Sequence, residues 1–285
     1  MLSRIFLVMI AMLSFAFSVE AGVIENLILS KPPAQQPPGI KVLIVHDQEG
    51  VVMEVKGKYD LIDPNTMSHI SRRFIGKRKY IQAVQDGLRW GEAFPGLHQI
   101  LIIPADPSIT TVVDGIEYQG AIYVYNIGGT ISIVNLVDIE DYLASRLSDY
   151  KEPFSEETLA AIAITFRTKA YYQSLNSKNP YWVVDARKVG YQGYAVGKFS
   201  SGIEKAIRAT RYLVLSQTGA YDGGVTPFPA QWQSEGKGGI ETVSAISLEQ
   251  AEGMAKKGKD AAQILAKAFP GAVIHLTFAG ISGVR

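Results

Sequence analysis

The chain reads as an α+β protein, with a β-rich N-terminal half and then a core of mixed helices and strands of the kind that carries a catalytic site. Between residues 40 and 137, short runs of β-branched and aromatic residues alternate with turn residues, as in strands joined by hairpins. After Asp138 the apolar spacing becomes helical, and capping residues open the helices. With 47% hydrophobic and 19% charged residues over 285 positions, the composition is globular and the length suffices for one large domain or two ordinary ones. A formal net charge of +1 gives no basis for a nucleic-acid partner, which would normally leave a basic surplus.

Residues 1–21, "MLSRIFLVMIAMLSFAFSVEA", are expected to be an export signal rather than part of the fold. Arg4 supplies the positive start, Ile5 to Phe17 the apolar core, and Val19 and Ala21 the small residues before a cleavage point. An uncleaved anchor is the competing reading, but thirteen apolar residues fall short of the ~20 that span a bilayer. Export to the periplasm or cell envelope is therefore expected, with membrane attachment only through an uncleaved signal. Residues 22–39 include "KPPAQQPPG" and read as a Pro-rich linker.

From residue 40, "IKVLIV" leads through "HDQEG" into "VVMEV", which predicts a hairpin, and "QILIIP" predicts a further strand at Gln99. Asp114-Gly115 and Gly128-Gly129 predict two more hairpin turns. The run "RRFIGKRK", Arg72 to Lys79, is either a solvated turn or a patch for an anionic polymer or membrane surface. In the second part, residues 138–285, Asp138 predicts the start of a short helix and Ser155 that of a longer one. Leu159, Ile162, Ala163, Phe166 and Ala170 share one face of the longer helix. Ile164 lies off that stripe, so the helix should be covered on more than one side. Ser201 with Glu204, Ser247 with Gln250 and Asp260 with Gln263 open three more helices, and Pro270 stops the last. "RYLVL" and "AVIHLTF" read as strands.

The chain has no cysteine, which removes disulfides, thiolate metal sites and cysteine nucleophiles together. The four histidines are scattered, and neither a zinc site nor a Ser-His-Asp triad has local support. No metal and no cofactor is expected. What remains is carboxylate chemistry. Asp149 and Glu152 sit in the link between two helices, where a carboxylic acid held against apolar walls can keep its proton and donate it. The plainer alternative is a turn rich in acids for solubility and capping.

Seven segments, in order, resemble the stage II sporulation protein D family, which includes the amidase-enhancer proteins of bacterial walls. They are "YQGAIYVY" with "VNLVDIEDYL", "LAAIAITFRTKAYY", "VGYQG", "AIRATRYLVLSQTG", "WQSEGKGGIET" and "GMAKKGKDAAQILAKAFPGA". The resemblance implies an exported peptidoglycan-remodelling protein with a single domain of that type, its core in residues 138–285. Characterised members are lytic transglycosylases acting on glycan strands that lack stem peptides. One glutamic acid protonates the glycosidic oxygen, and the 6-hydroxyl of the sugar closes to a 1,6-anhydro product. Counting back from the matched arginine, Arg167, puts that acid at Asp149; counting forward from "EDYL" puts it at Tyr150, and Glu152-Pro153 keeps part of the family's "EMP". The resemblance implies substrate-binding positions at Arg167, Tyr191 and Lys237. For Arg167 the alternative is a salt bridge to a carboxylate such as Asp141, and for Lys237 an ordinary exposed loop. Partners implied are peptidoglycan glycan strands and an amidase or division proteins. Two departures matter: the family's "GHGVGMSQ" is replaced by "SAISLEQA", and Trp232-Gln233 stands where many members have Tyr-His, which argues against the metal of some relatives. A non-catalytic wall-binding or amidase-enhancing protein of the same fold is the second reading, and a purely structural envelope module the third.

Overall fold

The computed structural model describes residues 39–74, 77–148, 150, 154–194, 201–217, 225–233 and 242–277. The expected export signal, nearly all of the linker, and Asp149, Glu152 and Lys237 lie outside the described residues.

Among the described residues, twelve strands precede the first helix. They are β1 (Gly39–Gln48), β2 (Gly50–Val55), β3 (Tyr59–Asp63), β4 (Ser68–Arg73), β5 (Lys79–Val84), β6 (Gly87–Trp90), β7 (Glu92–Pro95), β8 (Gln99–Pro104), β9 (Thr111–Val113), β10 (Ile116–Tyr118), β11 (Ala121–Ile127) and β12 (Thr130–Asp138). One sheet runs β1-β12-β11-β8-β3-β4, the other β10-β9-β2-β5-β6-β7. Both glycine turns form hairpins. Asp114 and Gly115 take φ of 49° and 86°, and Gly128 and Gly129 take 62° and 89°, the paired left-handed geometry that suits the twist of two-residue hairpins.

The hairpin expected from "IKVLIV" and "VVMEV" does not form. Those runs become β1 and β2, consecutive in sequence but in different sheets. β1 pairs with β12 on one side and, in parallel, with β13 (Val184–Asp185) on the other, so neither edge is left for β2. β2 pairs instead with β5 and β9. The basic run links β4 to β5, and two of its cations are satisfied locally. Arg72 forks onto Asp60 at 2.7 and 2.9 Å, and Arg73 pairs with Glu92.

The helical half follows the capping signals at Asp138, Ser247 and Asp260, whereas Ser201 lies within its helix rather than ahead of it. Asp138 accepts from the Glu140 amide at 2.7 Å and opens α1 (Ile139–Leu147). α2 (Glu156–Leu175) is buried on every side from Thr158 to Thr168, as the off-stripe Ile164 predicts. A short α3 (Ala186–Val189) follows β13, and α4 (Ser201–Ala209) precedes β14 (Leu213–Gln217). β15 (Ala230–Gln231) and β16 (Thr242–Val243) pair in parallel. Ser247 and Gln250 make a reciprocal capping box on α5 (Leu248–Ala255), and Asp260 caps α6 (Ala261–Ala268). The last strand, β17 (Ala272–Leu276), runs antiparallel to β14. α2 is the hub, in contact with α1, α4, α5, α6, β14 and β15. One apolar core runs from the sheets through α2 to α6, and a buried Ile or Phe in it stabilises by roughly 1.5–3 kcal/mol. No helix among the described residues is long and apolar enough to cross a membrane.

Candidate functional site

Arg167 projects from α2 into the seam between α1 and β14, and its side chain has 0% exposure. Its Nε and Nη2 donate to the two carboxylate oxygens of Glu140 at 2.9 and 2.6 Å. Nη1 donates to the Leu213 carbonyl at 3.1 Å and approaches Thr210 Oγ1 at 3.4 Å. The carboxylate partner is Glu140, not Asp141. These neighbours are about 100° apart around the helix, and Glu140 is the one turned inward while Asp141 is exposed. One guanidinium thus ties α1, α2, the end of α4 and the start of β14, with its donors aimed at protein.

Tyr191 is also internal, 5% exposed. Its hydroxyl donates to Asn135 Oδ1 at 2.6 Å, and Asn135 Nδ2 donates to the carbonyls of Gln119 and Ala121. Burial, with smaller repulsion from Tyr118, Asp141 and Tyr142, holds the Tyr191 phenol well above its ordinary pKa, so it stays a neutral donor. The turn after it is docked by Gln192 N donating to Ser145 Oγ at 3.1 Å and Tyr194 N to the Glu117 carbonyl at 2.8 Å. Gly193 is required there. It takes φ of 81°, and a Cβ would stand 2.4 Å from the Glu117 carbonyl oxygen. The Tyr191 ring packs at a tilt against Tyr142, centroids 5.7 Å apart.

Tyr142 opens onto a cleft of about 390 Å³ between α1, α2 and α3. Its aromatic walls are Tyr142, Tyr150 and Phe166, and Gln173 and Val189 add to the lining. Arg146, Lys169, Arg187 and Lys188 supply four cations, and no carboxylate is among the described residues that line it. The Arg146 guanidinium lies over the Phe166 ring, 4.6 Å from its centroid, and Lys169 Nζ donates to Gln231 Oε1 at 3.1 Å. Arg187 and Lys188 are exposed on α3, which Asp185 caps by accepting from Arg187 N at 3.0 Å. Such a cleft offers flat apolar rings for sugar faces and positive charge for an anionic group.

Of the link between α1 and α2, Tyr150 and Phe154 are described, and both ends are anchored. The Tyr150 ring packs against Phe166 and, edge-on, against Phe154, with centroids 6.0 and 5.8 Å apart. Ser155 is the N-cap of α2 as expected, but its hydroxyl makes no capping bond to the helix. Glu252 of α5 does that work from 97 residues away, accepting from Ser155 N, Ser155 Oγ and Thr158 Oγ1 at 2.8–2.9 Å. Burial alone would raise the Glu252 pKa; these bonds and the Lys256 charge outweigh it and hold the carboxyl below its usual range.

Three of the five residues singled out from sequence, Asp149, Glu152 and Lys237, lie outside the described residues. Arg167 and Tyr191 are brought behind the cleft, Tyr191 through Tyr142 and Arg167 through Glu140 of α1. The cationic lining was missed. Its one local signal is the Arg187-Lys188 pair just ahead of "VGYQG"; Arg146 and Lys169 join it only through helix packing. Gln233, at the position of the family histidine, donates from Nε2 to the Ser244 carbonyl at 2.9 Å. Among the described residues, no group of three or more His, Asp or Glu could hold a metal ion.

The family model described as Stage II sporulation protein, SpoIID, matches residues 127–216. Over these residues the chain is similar to the SpoIID family. The SpoIID match takes in β12, α1, α2, α4 and most of β14, and every described residue that lines the cleft falls within it. The match suggests a cell-wall-related role. An uncharacterized protein of Chlamydia pneumoniae is 38% identical over 182 residues, covering 62% of this chain and 66% of that one. Another from Chlamydia muridarum is 34% identical over 181 residues, covering 62% and 63%. An uncharacterized protein of Brachyspira hyodysenteriae is 27% identical over 184 residues, covering 63% and 49%. The chain thus spans just under two thirds of the two chlamydial relatives and about half of the third. No solved structure matches it.

Proposed function

We propose that the protein is an exported peptidoglycan-remodelling protein that holds a peptide-free glycan strand in the aromatic, cationic cleft and cleaves it as a lytic transglycosylase. The observation that carries this reading is Tyr150. It lines the cleft, and in sequence it lies between the two candidate acids, Asp149 and Glu152. The acid protonates the glycosidic oxygen as the C–O bond breaks, then takes a proton from the 6-hydroxyl as that oxygen closes on the anomeric carbon. One group serves both steps, so no paired carboxylate is needed.

Asp149 is favoured as the acid because it stands eighteen residues before Arg167, the separation that the family resemblance requires. Glu152 stands nearer the start of α2, where the helix dipole favours the ionised form and so disfavours a proton donor. The test is product mass from purified peptide-free glycan. Asp149→Asn should abolish anhydro-product release while folding and glycan binding persist, and Glu152→Gln should be milder. A dead Glu152→Gln beside a fully active Asp149→Asn would reverse the assignment. Full activity in both would reduce the turn to a cap.

A second reading, a wall-binding or amidase-enhancing protein that makes no products, is favoured by one observation: the described lining of the cleft contains cations and rings but no carboxylate. Glycan binding without anhydro products from the unaltered protein would select it.

A further inference from the structure

The basic run "RRFIGKRK" takes no part in the cleft. Five of the 28 Lys and Arg side chains fall between Arg72 and Lys79, and no Asp or Glu occurs from Pro64 to Gln85. The fold puts this run at the crossover from β4, the edge strand of the first sheet, to β5, inside the second. Arg72 and Arg73 are occupied by Asp60 and Glu92, while Lys77, Arg78 and Lys79 are exposed. Glu54 shares a small cavity with Arg78 and offsets part of that one charge. Other exposed cations of the protein also lack an ion pair; these three are set apart by being consecutive and by standing beside an exposed ring. Phe74, 69% exposed, is the most exposed large hydrophobic side chain among the described residues. Lys58, just ahead of β3, holds its Nζ 5.3 Å from the Phe74 ring centroid. Cations are well solvated in water, but an exposed phenyl ring gains by entering an apolar layer. A ring among cations matches the boundary of an anionic bilayer, where head groups take the charges and the acyl edge takes the ring. A dissolved polyanion would use the cations and leave the ring in water.

We infer that Lys58, Phe74, Lys77, Arg78 and Lys79 form a docking surface for an anionic lipid membrane, which holds the protein peripherally on the bilayer. None of the five lines the cleft, so membrane attachment is independent of glycan binding. Each Lys or Arg near an anionic surface strengthens partitioning about fivefold. Several such cations acting with one inserted ring give reversible, salt-sensitive attachment, and the ring alone does not. The β4–β5 crossover and the helices around the cleft are separate parts of the fold, so the protein attaches through one and works through the other.

The test uses the chain from Gly22, which keeps every described residue and removes the apolar first 21 residues that would insert on their own. The probes are phosphatidylcholine vesicles with about one third phosphatidylglycerol, vesicles of phosphatidylcholine alone, and poly-glutamate as a soluble polyanion. Co-sedimentation should show binding at least tenfold tighter to the anionic vesicles than to the neutral ones, falling as salt is raised. Lys77→Gln, Arg78→Gln and Lys79→Gln together should weaken it at least tenfold. Phe74→Ser should weaken vesicle binding about threefold or more and leave binding to poly-glutamate unchanged. All four side chains are exposed, so an unchanged melting temperature is the folding control. Equal binding to both kinds of vesicle, or undiminished vesicle binding by the triple variant, overturns the surface. So does a Phe74→Ser protein that binds anionic vesicles as the parent does, which would make the run a site for soluble polyanions. Glycan binding in solution should be the same in the parent and the triple variant. Its absence from both would overturn the glycan reading and leave the membrane surface standing.

Discussion

Arg167 is where a substrate role and a structural one make opposite predictions. Arg167→Met keeps most of the side-chain volume and removes all five donors. The orphaned carboxylate of Glu140 would then lack its counter-charge, and breaking a buried pair from one side costs about 3–5 kcal/mol. Glu140 keeps 14% side-chain exposure, so water reaches it and the cost belongs near the lower limit, about 3 kcal/mol. The Leu213 carbonyl loses its guanidinium donor as well, worth about another 1 kcal/mol. A total of about 4 kcal/mol corresponds to a fall in melting temperature of roughly 8–16 °C for a domain of this size. Glu140→Gln should cost about half as much, because its amide oxygen can still accept from one guanidinium nitrogen. Thermal and urea unfolding, monitored together, measure both. Glycan binding, assayed well below the lowered melting point, should be unchanged per folded molecule. A loss below about 1 kcal/mol in Arg167→Met, or lost binding with an unchanged melting temperature, would refute the structural assignment.

Glu252→Gln should remove about 1 kcal/mol at pH 7, because an amide caps α2 less well than a carboxylate. The folded Glu252 pKa is depressed, so its contribution is complete above the ordinary glutamate range and is lost as pH falls through the acid range below it. The gap in melting temperature between the parent and Glu252→Gln should therefore close between pH 7 and pH 3, and a constant gap would contradict the assignment. Tyr191→Phe leaves Asn135 Oδ1 without its donor and should cost about 1–2 kcal/mol in urea unfolding while glycan affinity stays the same; weakened affinity at unaltered stability would restore the substrate-binding role that the resemblance implied.

Much of the local architecture can be read from short spans of sequence, because the interactions that decide it are short. Asp114-Gly115 forms its hairpin because two adjacent residues tolerate positive φ. Asp138, Ser247 and Asp260 start helices because each carboxylate or hydroxyl reaches an amide two or three residues on. The all-round burial of α2 follows from Ile164 standing off an already apolar face. Choice of partner is different, since it depends on which surfaces meet after collapse. "IKVLIV" and "VVMEV" have everything a hairpin needs locally, yet β12 and β13 occupy both edges of β1 and send β2 to the other sheet. Ser155 marks the start of α2, but the cap comes from Glu252, 97 residues away. Arg167 needs a carboxylate, and helix phase rather than sequence proximity selects Glu140 over Asp141. Arg146, Lys169 and Arg187 lie up to 41 positions apart and form one cationic surface only because α1, α2 and α3 pack around the same cavity.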